Sequence, residues 1–572
     1  MKAQSGGCPI GFRTAAPAQG LGGTCLHGPP EGFGHFLGEP ARRFRWRGRD
    51  PRFDPAAFNE LLIDMSAIAR AMTEAPEPKK DQLPSGYTYA LQLVAHDMVD
   101  TTVPLWAVGA RSETRNQQSH PLRLETIYGG GRGRFPLAYG VRSGSEQHSI
   151  AFRMGPIRAD ANEEGKPPNP APIPSGRDIP RAAIASPEGT GARGLDAALL
   201  ADMRNDQHFM LSQTAFVFMA LHNAILSRLP PVTEDGVAGA RRAEEAFACA
   251  HAATVLIYRE ILRRDLLPQV LHPDVQPLYA AGQPLMEFPG KERGMPLEFS
   301  HGAFRFGHAM IRGTYTLQSP PNMFLISEIL NHTSAGAGVR FPLETKWLVN
   351  WANFLPLSGT PANLARPIGA IANRGLEDKL PPIDEAEAKV GGVAIRDLMS
   401  AGLAGLWSVW PLLDAIVQGV KDQGLADLLS STRAGWPATL RTWNSSLPPS
   451  VSLSPEIMAA LEEDPPLPFF VLLEAATTTE KAGLGPLGSI IVAETIASFL
   501  ARDPVPAELQ SNRLRERLRW IGETHGAEGA LDALSEITSL VRLLRFLANT
   551  PDWRNAQPPL FSAASPATSQ RP

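Results

Sequence analysis

The chain has 572 residues, of which 43% are hydrophobic and 20% are charged, a composition that suits one large globular domain or several ordinary ones. The formal net charge of -4 and the pI near 6.4 provide no broad basic field, which argues against nucleic acid as the main partner. No uninterrupted apolar stretch reaches the ~18–20 residues of a membrane span, and the three cysteines are too scattered for a disulfide framework or a zinc site.

Both ends of the sequence are predicted to be irregular. Residues 1–30 are rich in Gly and Pro and lack periodicity, which indicates an extended arm. The arm contains Cys8 and Cys25, which could pair, although we expect free thiols in a reducing cytoplasm. Since the first residues hold no apolar run of ~7–15 residues, no secretory signal is predicted, and export would need another route. Residues 551–572 are rich in Pro, Ser and Ala and are predicted to be a disordered tail.

Residues 31–550 are predicted to form a single, mainly α domain with few short strands and long irregular connections. Strand-like alternation is scarce, and no internal repeat of 20–50 residues is found, which disfavours a solenoid. Residues 162–194 include a proline-rich run and are predicted to be an irregular surface excursion. Apolar residues recur at helical spacing in segments 54–72, 203–229, 238–262, 324–330 and 488–501.

The first segment with chemical content is Pro84–Asp100. On a helix, Gln92 and His96 share one face because they are four residues apart, while Asp97 points about 100° away. A neutral imidazole with a pKa near ~6.5 suits general acid/base catalysis. Taken alone, a His-Asp pair on a helix is more often a polar pair of the core or the surface.

The most specific segment is Leu297–Arg312, which contains Phe-Arg-Phe-Gly-His ending at His308. By itself a histidine in a phenylalanine-rich helix is usually a core residue. The segment closely resembles the proximal motif of animal-type haem peroxidases, and the chain resembles bacterial-type members of this peroxidase-cyclooxygenase superfamily over roughly residues 30–505. The resemblance implies that His308 is the axial ligand of the haem iron and that Arg305 binds a haem propionate. His301 has no counterpart in the motif and is interpreted as structural.

The resemblance also assigns the opposite, distal side of a haem lying between central helices. His96 and Gln92 fall on the family's distal pair, and Arg204, in the segment Ala201–Gln213, falls on its distal arginine. His96 would move the proton of hydrogen peroxide, and Gln92 would order water or the oxidant. Arg204 would stabilise negative charge on the departing oxygen, because a guanidinium stays protonated. Without the resemblance, Arg204 would be interpreted as a surface ion-pair residue.

Covalent attachment of the haem is not expected. The positions at which family members form two esters and a sulfonium bond to the haem are Ala95, Gln207 and His208 in this chain. The resemblance therefore implies non-covalent haem b. Without electron-withdrawing links the ferryl haem should be a weaker oxidant, so iodide, bromide or a small organic donor is expected rather than chloride.

The partner of the axial histidine is predicted from the same resemblance. Family members place an Asn about 85–90 residues after this histidine, and Asp397 stands at that position. A carboxylate there would push more charge onto His308. The family's second propionate arginine is replaced by Ser400, three residues further on.

Two alternatives are open at Asp97: a calcium ion, or a pairing with Arg123 that replaces it. In relatives the Asp after the distal histidine binds calcium together with a nearby acidic loop, and here Asp97 is followed by a loop with Arg123 and Glu125. Arg123 opposes a divalent cation by its charge. We therefore hypothesise that the Arg123 guanidinium pairs with Asp97 and replaces the cation.

The sequence thus predicts a haem peroxidase that reduces hydrogen peroxide and oxidises a small-molecule donor. Two alternatives remain open. A haem-dependent lipid oxygenase is disfavoured because Arg305 stands three residues before His308, where cyclooxygenases and fatty-acid dioxygenases place a radical-forming Tyr. A degenerate haem-binding or partner-binding protein is suggested by the departures at Ala95, Arg123 and Gln207. The sequence does not predict the donor or the oligomeric state.

Overall fold

The computed structural model describes most of the predicted domain. The described residues are 32–101, 116–141, 148–160, 172–184, 195–286, 294–318, 322–332, 341–377, 392–478, 481–502, 513–554 and 559–562. The predicted arm, including Cys8 and Cys25, lies outside the described residues. Cys249 is described, and its thiol is buried and free.

The described chain is mainly helical, which confirms the predicted fold class. All five segments with helical spacing contain helices. The α-helices are Pro55–Glu74, Ser85–Met98, Glu125–Tyr128, Phe209–Leu226, Gly236–Ile261, Leu267–Val270, Leu297–Ser300, Ile326–Ile329, Arg374–Glu377, Val393–Leu403, Val409–Gly419, Gln423–Ser446, Pro455–Glu463, Leu467–Thr478, Pro486–Leu500, Leu514–Thr524 and Leu540–Ala548. The 3₁₀-helices are Trp46–Gly48, Pro136–Ala138, Met203–Asp206, Gln276–Tyr279, Ala303–Met310, Thr345–Trp347, Trp351–Asn353 and Asp532–Glu536, and a π-helix spans Leu262–Leu266.

The strands are short and form small separate sheets. Strands β1 to β11 are Phe33–Gly34, Tyr139–Val141, Ser149–Phe152, Gly155–Arg158, Pro172–Asp178, Arg181–Ile184, Leu195–Ala198, Met295–Pro296, Thr314–Thr316, Met323–Leu325 and Leu343–Glu344. The order β11-β4-β5 makes a three-stranded sheet, and β1-β8, β2-β3, β6-β7 and β9-β10 make two-stranded sheets. These sheets connect and brace helices, and the core itself lies between helices.

Helix Phe209–Leu226, here the central helix, runs through the core. It packs against Ser85–Met98, here the distal helix, and against Gly236–Ile261. Its length and hydropathy would also suit a membrane span, but 94% of it is buried inside the protein. Such burial is typical of the core helix of a large domain. The central helix begins after His208, whose ring Nδ1 accepts the Leu211 N–H and so satisfies one donor at the helix start.

Two predicted irregular regions are more ordered than expected. Within the predicted excursion, residues 172–178 and 181–184 are strands, and Arg177, Asp178 and Ile179 are buried. In the predicted disordered tail, Leu560 is buried and its carbonyl accepts the Trp351 N–H. The described parts of both regions are therefore ordered, and the predictions stay untested for the other residues of these regions. They relied on proline content, whereas prolines are compatible with short strands at sheet edges and with docked extended segments.

Candidate active site

A cavity of about 580 Å³ lies between the distal helix, residues 207–208, the 3₁₀-helix Ala303–Met310 and helix Val393–Leu403. We call Ala303–Met310 the proximal segment and Val393–Leu403 the side helix. The wall combines apolar side chains with a few histidines, arginines and amides. Its residues are Tyr89, Gln92, Thr101, Gln207, His208, His301, Arg305, His308, Ile311, Ile326, Leu330, Asn331, Leu376, Val393, Arg396, Asp397, Met399, Ser400 and Leu403.

His308 presents one ring nitrogen to this cavity. Its Nδ1 lies 2.6 Å from Oδ2 of Asp397. Because a carboxylate oxygen can only accept a hydrogen bond, Nδ1 carries the proton. Nε2 is then the ring nitrogen left for the cavity that His308 lines, and the side chain is 40% exposed. Imidazoles that bind metals commonly use one nitrogen for the metal and donate the other N–H to a carboxylate. The predicted partner Asp397 thus contacts His308 in the arrangement expected of an axial ligand.

Arg305 and Arg396 supply positive charge to the same wall. The proximal segment is a 3₁₀-helix with about three residues per turn, so Arg305 and His308 lie on one side of it. The Arg305 guanidinium donates to the Ser300 carbonyl at 2.9 Å and to Asp397 at 3.3 Å while still lining the cavity. Arg396, on the side helix, also lines it. Sequence reasoning missed Arg396, because the resemblance places the second propionate arginine at the position of Ser400.

His301 also lines the cavity. The Ser300 hydroxyl donates its hydrogen to the Pro296 carbonyl, so it must accept from His301 Nδ1 at 2.8 Å. Burial lowers the pKa of His301 to about 3, aided by the charge of Arg305, so the ring is neutral with a bare Nε2. This residue was interpreted as structural, and the structure adds that it forms part of the wall.

His96 is held as a neutral base on the distal helix. Asn205 donates its amino group to the carbonyl and the hydroxyl of Thr126, so its Oδ1 must accept from His96 Nδ1 at 3.0 Å. His96 Nε2 is consequently unprotonated. Burial first, and then the charge of Arg204, lowers the pKa of His96 to about 4. The distal helix packs against the proximal segment, so His96 and His308 lie on neighbouring elements.

This chain of hydrogen bonds continues from Asn205 through Thr126 and Asp202 to Arg204. The Thr126 hydroxyl donates to Asp202 at 3.1 Å, which leaves its oxygen free to accept from Asn205. Asp202 also accepts from Arg204. Sequence reasoning missed Asn205 as a functional residue, although its place directly after Arg204 was the available signal.

Arg204 contacts the carboxyl end of the distal helix. Its guanidinium donates to Asp202, to the His96 carbonyl at 3.0 Å and to the Val99 carbonyl at 2.7 Å. Like His96, it is not among the residues that line the cavity. Arg204 therefore braces the carboxyl end of the distal helix from behind, because those carbonyls need donors there. Its contacts suit an effect through His96 better than direct contact with an oxidant.

Gln92 reaches the cavity together with His208. His208 Nε2 lies 2.9 Å from Gln92 Oε1, and the His208 ring packs edge-on against Tyr89. In the sequence, His208 was considered only as a position at which family members attach the haem covalently. Because its contact with Gln92 spans 116 positions along the chain, no local pattern could have revealed it.

The pairing proposed between Asp97 and Arg123 is wrong. Asp97 is fully buried, and its carboxylate accepts the Leu124 N–H at 2.9 Å and the Thr126 N–H at 3.4 Å. No ion pair joins it to Arg123 among the described residues. Burial raises the pKa of Asp97 to about 7. In the part of the chain that the structure describes, no group of three or more His, Cys, Asp or Glu side chains comes together as a metal site, and calcium stays an untested prediction.

The residues of this cavity fit a haem. Its wall offers a bare imidazole nitrogen with a carboxylate behind it, apolar side chains such as Ile311, Ile326 and Leu330, and the cations Arg305 and Arg396. A porphyrin needs these three features: an axial donor, apolar contact for the ring and positive charge for the propionates.

Comparisons with known proteins support the fold. No family model and no curated protein matches the sequence. Among solved structures, a fatty acid alpha-dioxygenase from Oryza sativa matches at 12% identity with a TM-score of 0.50, covering 93% of this chain and 84% of that chain. Peroxidase A from Dictyostelium discoideum matches at 12% identity with a TM-score of 0.49, covering 91% of this chain and 93% of that chain. At 12% identity the likeness to the rice enzyme shows the fold alone. This is the fold that the resemblance in the sequence implied.

Proposed function

We propose that this protein is a haem peroxidase that reduces hydrogen peroxide and oxidises a small donor. The observation that carries the proposal is a pair of imidazoles on two elements that pack together, each fixed through Nδ1 so that Nε2 is left for a ligand or a proton. His308 is fixed by Asp397, and His96 is fixed by Asn205. One can bind iron while the other stays free to take a proton.

The proximal side would hold non-covalent haem b. His308 would bind the iron through Nε2, and Asp397 would strengthen that bond by accepting the Nδ1 proton. Arg305 and Arg396 would bind the propionates. When bound, haem supplies an iron that takes oxidising equivalents from hydrogen peroxide and passes them to a donor.

The distal side would handle the proton. His96 accepts a proton from hydrogen peroxide at Nε2 and later gives it to the departing oxygen, as a general base and then a general acid. Its low pKa supports this order, because the imidazole is neutral at neutral pH. The positive charge of Arg204 favours the neutral form of His96, and the Arg204 guanidinium donates a hydrogen bond to the His96 carbonyl. Gln92 lines the cavity and offers its amide to the oxidant.

A haem-dependent lipid oxygenase is the second candidate, favoured by the apolar side chains of the cavity wall. The rice enzyme with this fold is named a fatty acid alpha-dioxygenase, and one of its structures contains palmitic acid. Against this candidate stands Arg305, which cannot form the radical that a tyrosine would supply at its position.

The two candidates are separated by their oxidants. Haem-loaded protein is mixed with hydrogen peroxide and with iodide, bromide or a phenol, and separately with oxygen and an unsaturated fatty acid without peroxide. The proposal expects peroxide-dependent oxidation of a donor and no oxygen uptake. Oxygen uptake with the lipid would replace it by the second candidate. Haem binding without any change on peroxide addition would instead indicate a degenerate haem-binding protein.

A further inference from the structure

The protonation of His208 follows from its contacts. Its Nδ1 accepts the backbone N–H of Leu211 at 3.2 Å, and a backbone nitrogen is always the donor. Nδ1 is therefore unprotonated. Burial, followed by the nearby His96, lowers the pKa of His208 to about 3, so the ring is neutral and its one proton is on Nε2.

This proton determines the orientation of the Gln92 amide. Since His208 Nε2 is a donor, the Gln92 atom at 2.9 Å from it must be the carbonyl oxygen. The amino group of Gln92 is then left at the cavity, and it has no other hydrogen bond among those described. The edge-on contact between Tyr89 and the His208 ring, with centroids 5.1 Å apart, keeps the imidazole in place.

We propose that His208 is a positioning residue that locks Gln92 so that the cavity meets only the N–H donors of this amide and never its carbonyl oxygen. The inference rests on the proposed function, because it concerns ligands of a haem in this cavity. His96, whose Nε2 accepts, lies four residues after Gln92 on the distal helix, so the two side chains offer an acceptor and a donor from one face of this helix. Such a pair matches hydrogen peroxide, which can give a proton to one side and accept a hydrogen bond on the other.

Fluoride is a suitable probe because it binds ferric haem and can only accept hydrogen bonds. The test variant is His208→Asn, which keeps an oxygen able to cap the central helix but is too short to reach Gln92. Loss of one hydrogen bond to an anion should weaken fluoride binding about 10- to 100-fold, measured by absorbance titration of the ferric haem-loaded protein. His208→Gln, which retains an amide donor, should recover most of the affinity.

A double-mutant cycle shows whether His208 acts through Gln92. We expect Gln92→Ala to weaken fluoride binding as much as His208→Asn does, and the double variant to weaken it no further. His222→Asn is the matched control: this histidine of the central helix is equally buried but bonds to Tyr128 and to the Ile150 carbonyl. Its fluoride affinity should stay at the wild-type value.

Three results would overturn the inference. Unchanged fluoride affinity in His208→Asn would do so, as would a full effect of His208→Asn in the Gln92→Ala background. If the variants fail to fold, neutron diffraction of the wild-type protein decides, and a deuteron on His208 Nδ1 would be the third contrary result. Failure of the wild-type protein to bind haem would instead reject the proposed function, so the two failures are distinguishable.

Discussion

Each of three imidazoles near the cavity has its protonation set by one named neighbour. Asn205 and Asp397 accept from Nδ1 of His96 and His308, whereas the Leu211 N–H donates to Nδ1 of His208. The first two rings therefore have a bare Nε2, and the third has a proton there. Three residues of the same type are thus suited to three tasks: proton transfer, metal binding and the orientation of an amide.

The pH dependence of the peroxide reaction should report His96. Because its pKa is lowered to about 4, the neutral base is present above that pH and is lost as pH falls through it. We expect a rate that is constant around neutral pH, with a midpoint of loss near pH 4, measured by a brief pH jump and stopped-flow mixing with peroxide. A midpoint near the ordinary histidine value of ~6.5 would contradict this assignment. His96→Ala should lower the rate about 10²- to 10⁴-fold.

The Asp397 carboxylate should matter for haem affinity. In Asp397→Ala, His308 loses the acceptor that orients its ring, and the loss of such a partner typically weakens metal binding about 10- to 100-fold. Titration of the protein with haem b measures this. Asp414→Ala removes an exposed carboxylate that pairs with Arg433 and should leave the affinity unchanged. Equal affinities for Asp397→Ala and the wild-type protein would show that the pair has no role in binding.

The residues that lie within motifs could be predicted, and those that act across segments could not. His96, His308 and Asp397 were found because they fall on motif positions of the family that the chain resembles, and the structure brings the last two into contact. Asn205 and His208 escaped because their partners lie 109 and 116 positions away. Arg204 was located by its motif, but the direction of its guanidinium depends on the carbonyls that face it.

At the scale of elements, the distal helix is anchored by the turn that follows it. Asp97, near the end of this helix, accepts two N–H groups at the start of helix Glu125–Tyr128. Leu124, one of the two donors, has a positive φ of 58°, a conformation that is costly for leucine without such support. Arg123 was expected in this role, but backbone donors of the same loop fulfil it. A pattern of charges cannot reveal backbone donors, which every residue carries.

Removal of the Asp97 carboxylate should destabilise the fold. Asp97→Ala leaves two buried N–H groups without an acceptor, at a cost of about 1–3 kcal/mol each, partly offset by the loss of a buried charge. We expect a clearly lower midpoint of thermal unfolding. As a control, Asp427→Ala removes an exposed carboxylate of helix Gln423–Ser446 and should change the midpoint little. An unchanged midpoint in Asp97→Ala would mean that water or another group replaces the carboxylate.

At the scale of the whole molecule, distant parts of the chain close the same core. The mainly α fold was predictable because five segments have apolar residues at helical spacing, and this spacing is a property of the local sequence. The order of residues 559–562 was not, because it depends on contacts with partners far away in sequence. Ser562 and Leu560, for example, bind the backbone or side chain of residues 350–351.

The docked segment at residues 559–562 should contribute to global stability. Leu560 is 1% exposed, so Leu560→Ala should cost about 2–5 kcal/mol through lost burial and a cavity. Leu325→Ala, at a leucine that is 56% exposed, is the matched control and should cost far less. Urea unfolding followed by circular dichroism compares the two. Equal midpoints would refute the docked position of the segment.

The most direct test of the account is the absorption spectrum of the protein with haem b, compared among the wild type, His308→Ala and His301→Ala. His301 is the right control because it also presents a bare Nε2 to the cavity. We expect a histidine-ligated spectrum in the wild type and in His301→Ala. The spectrum should be lost in His308→Ala and should return when imidazole is added to that variant. An unchanged spectrum in His308→Ala would contradict the central claim that His308 holds the iron.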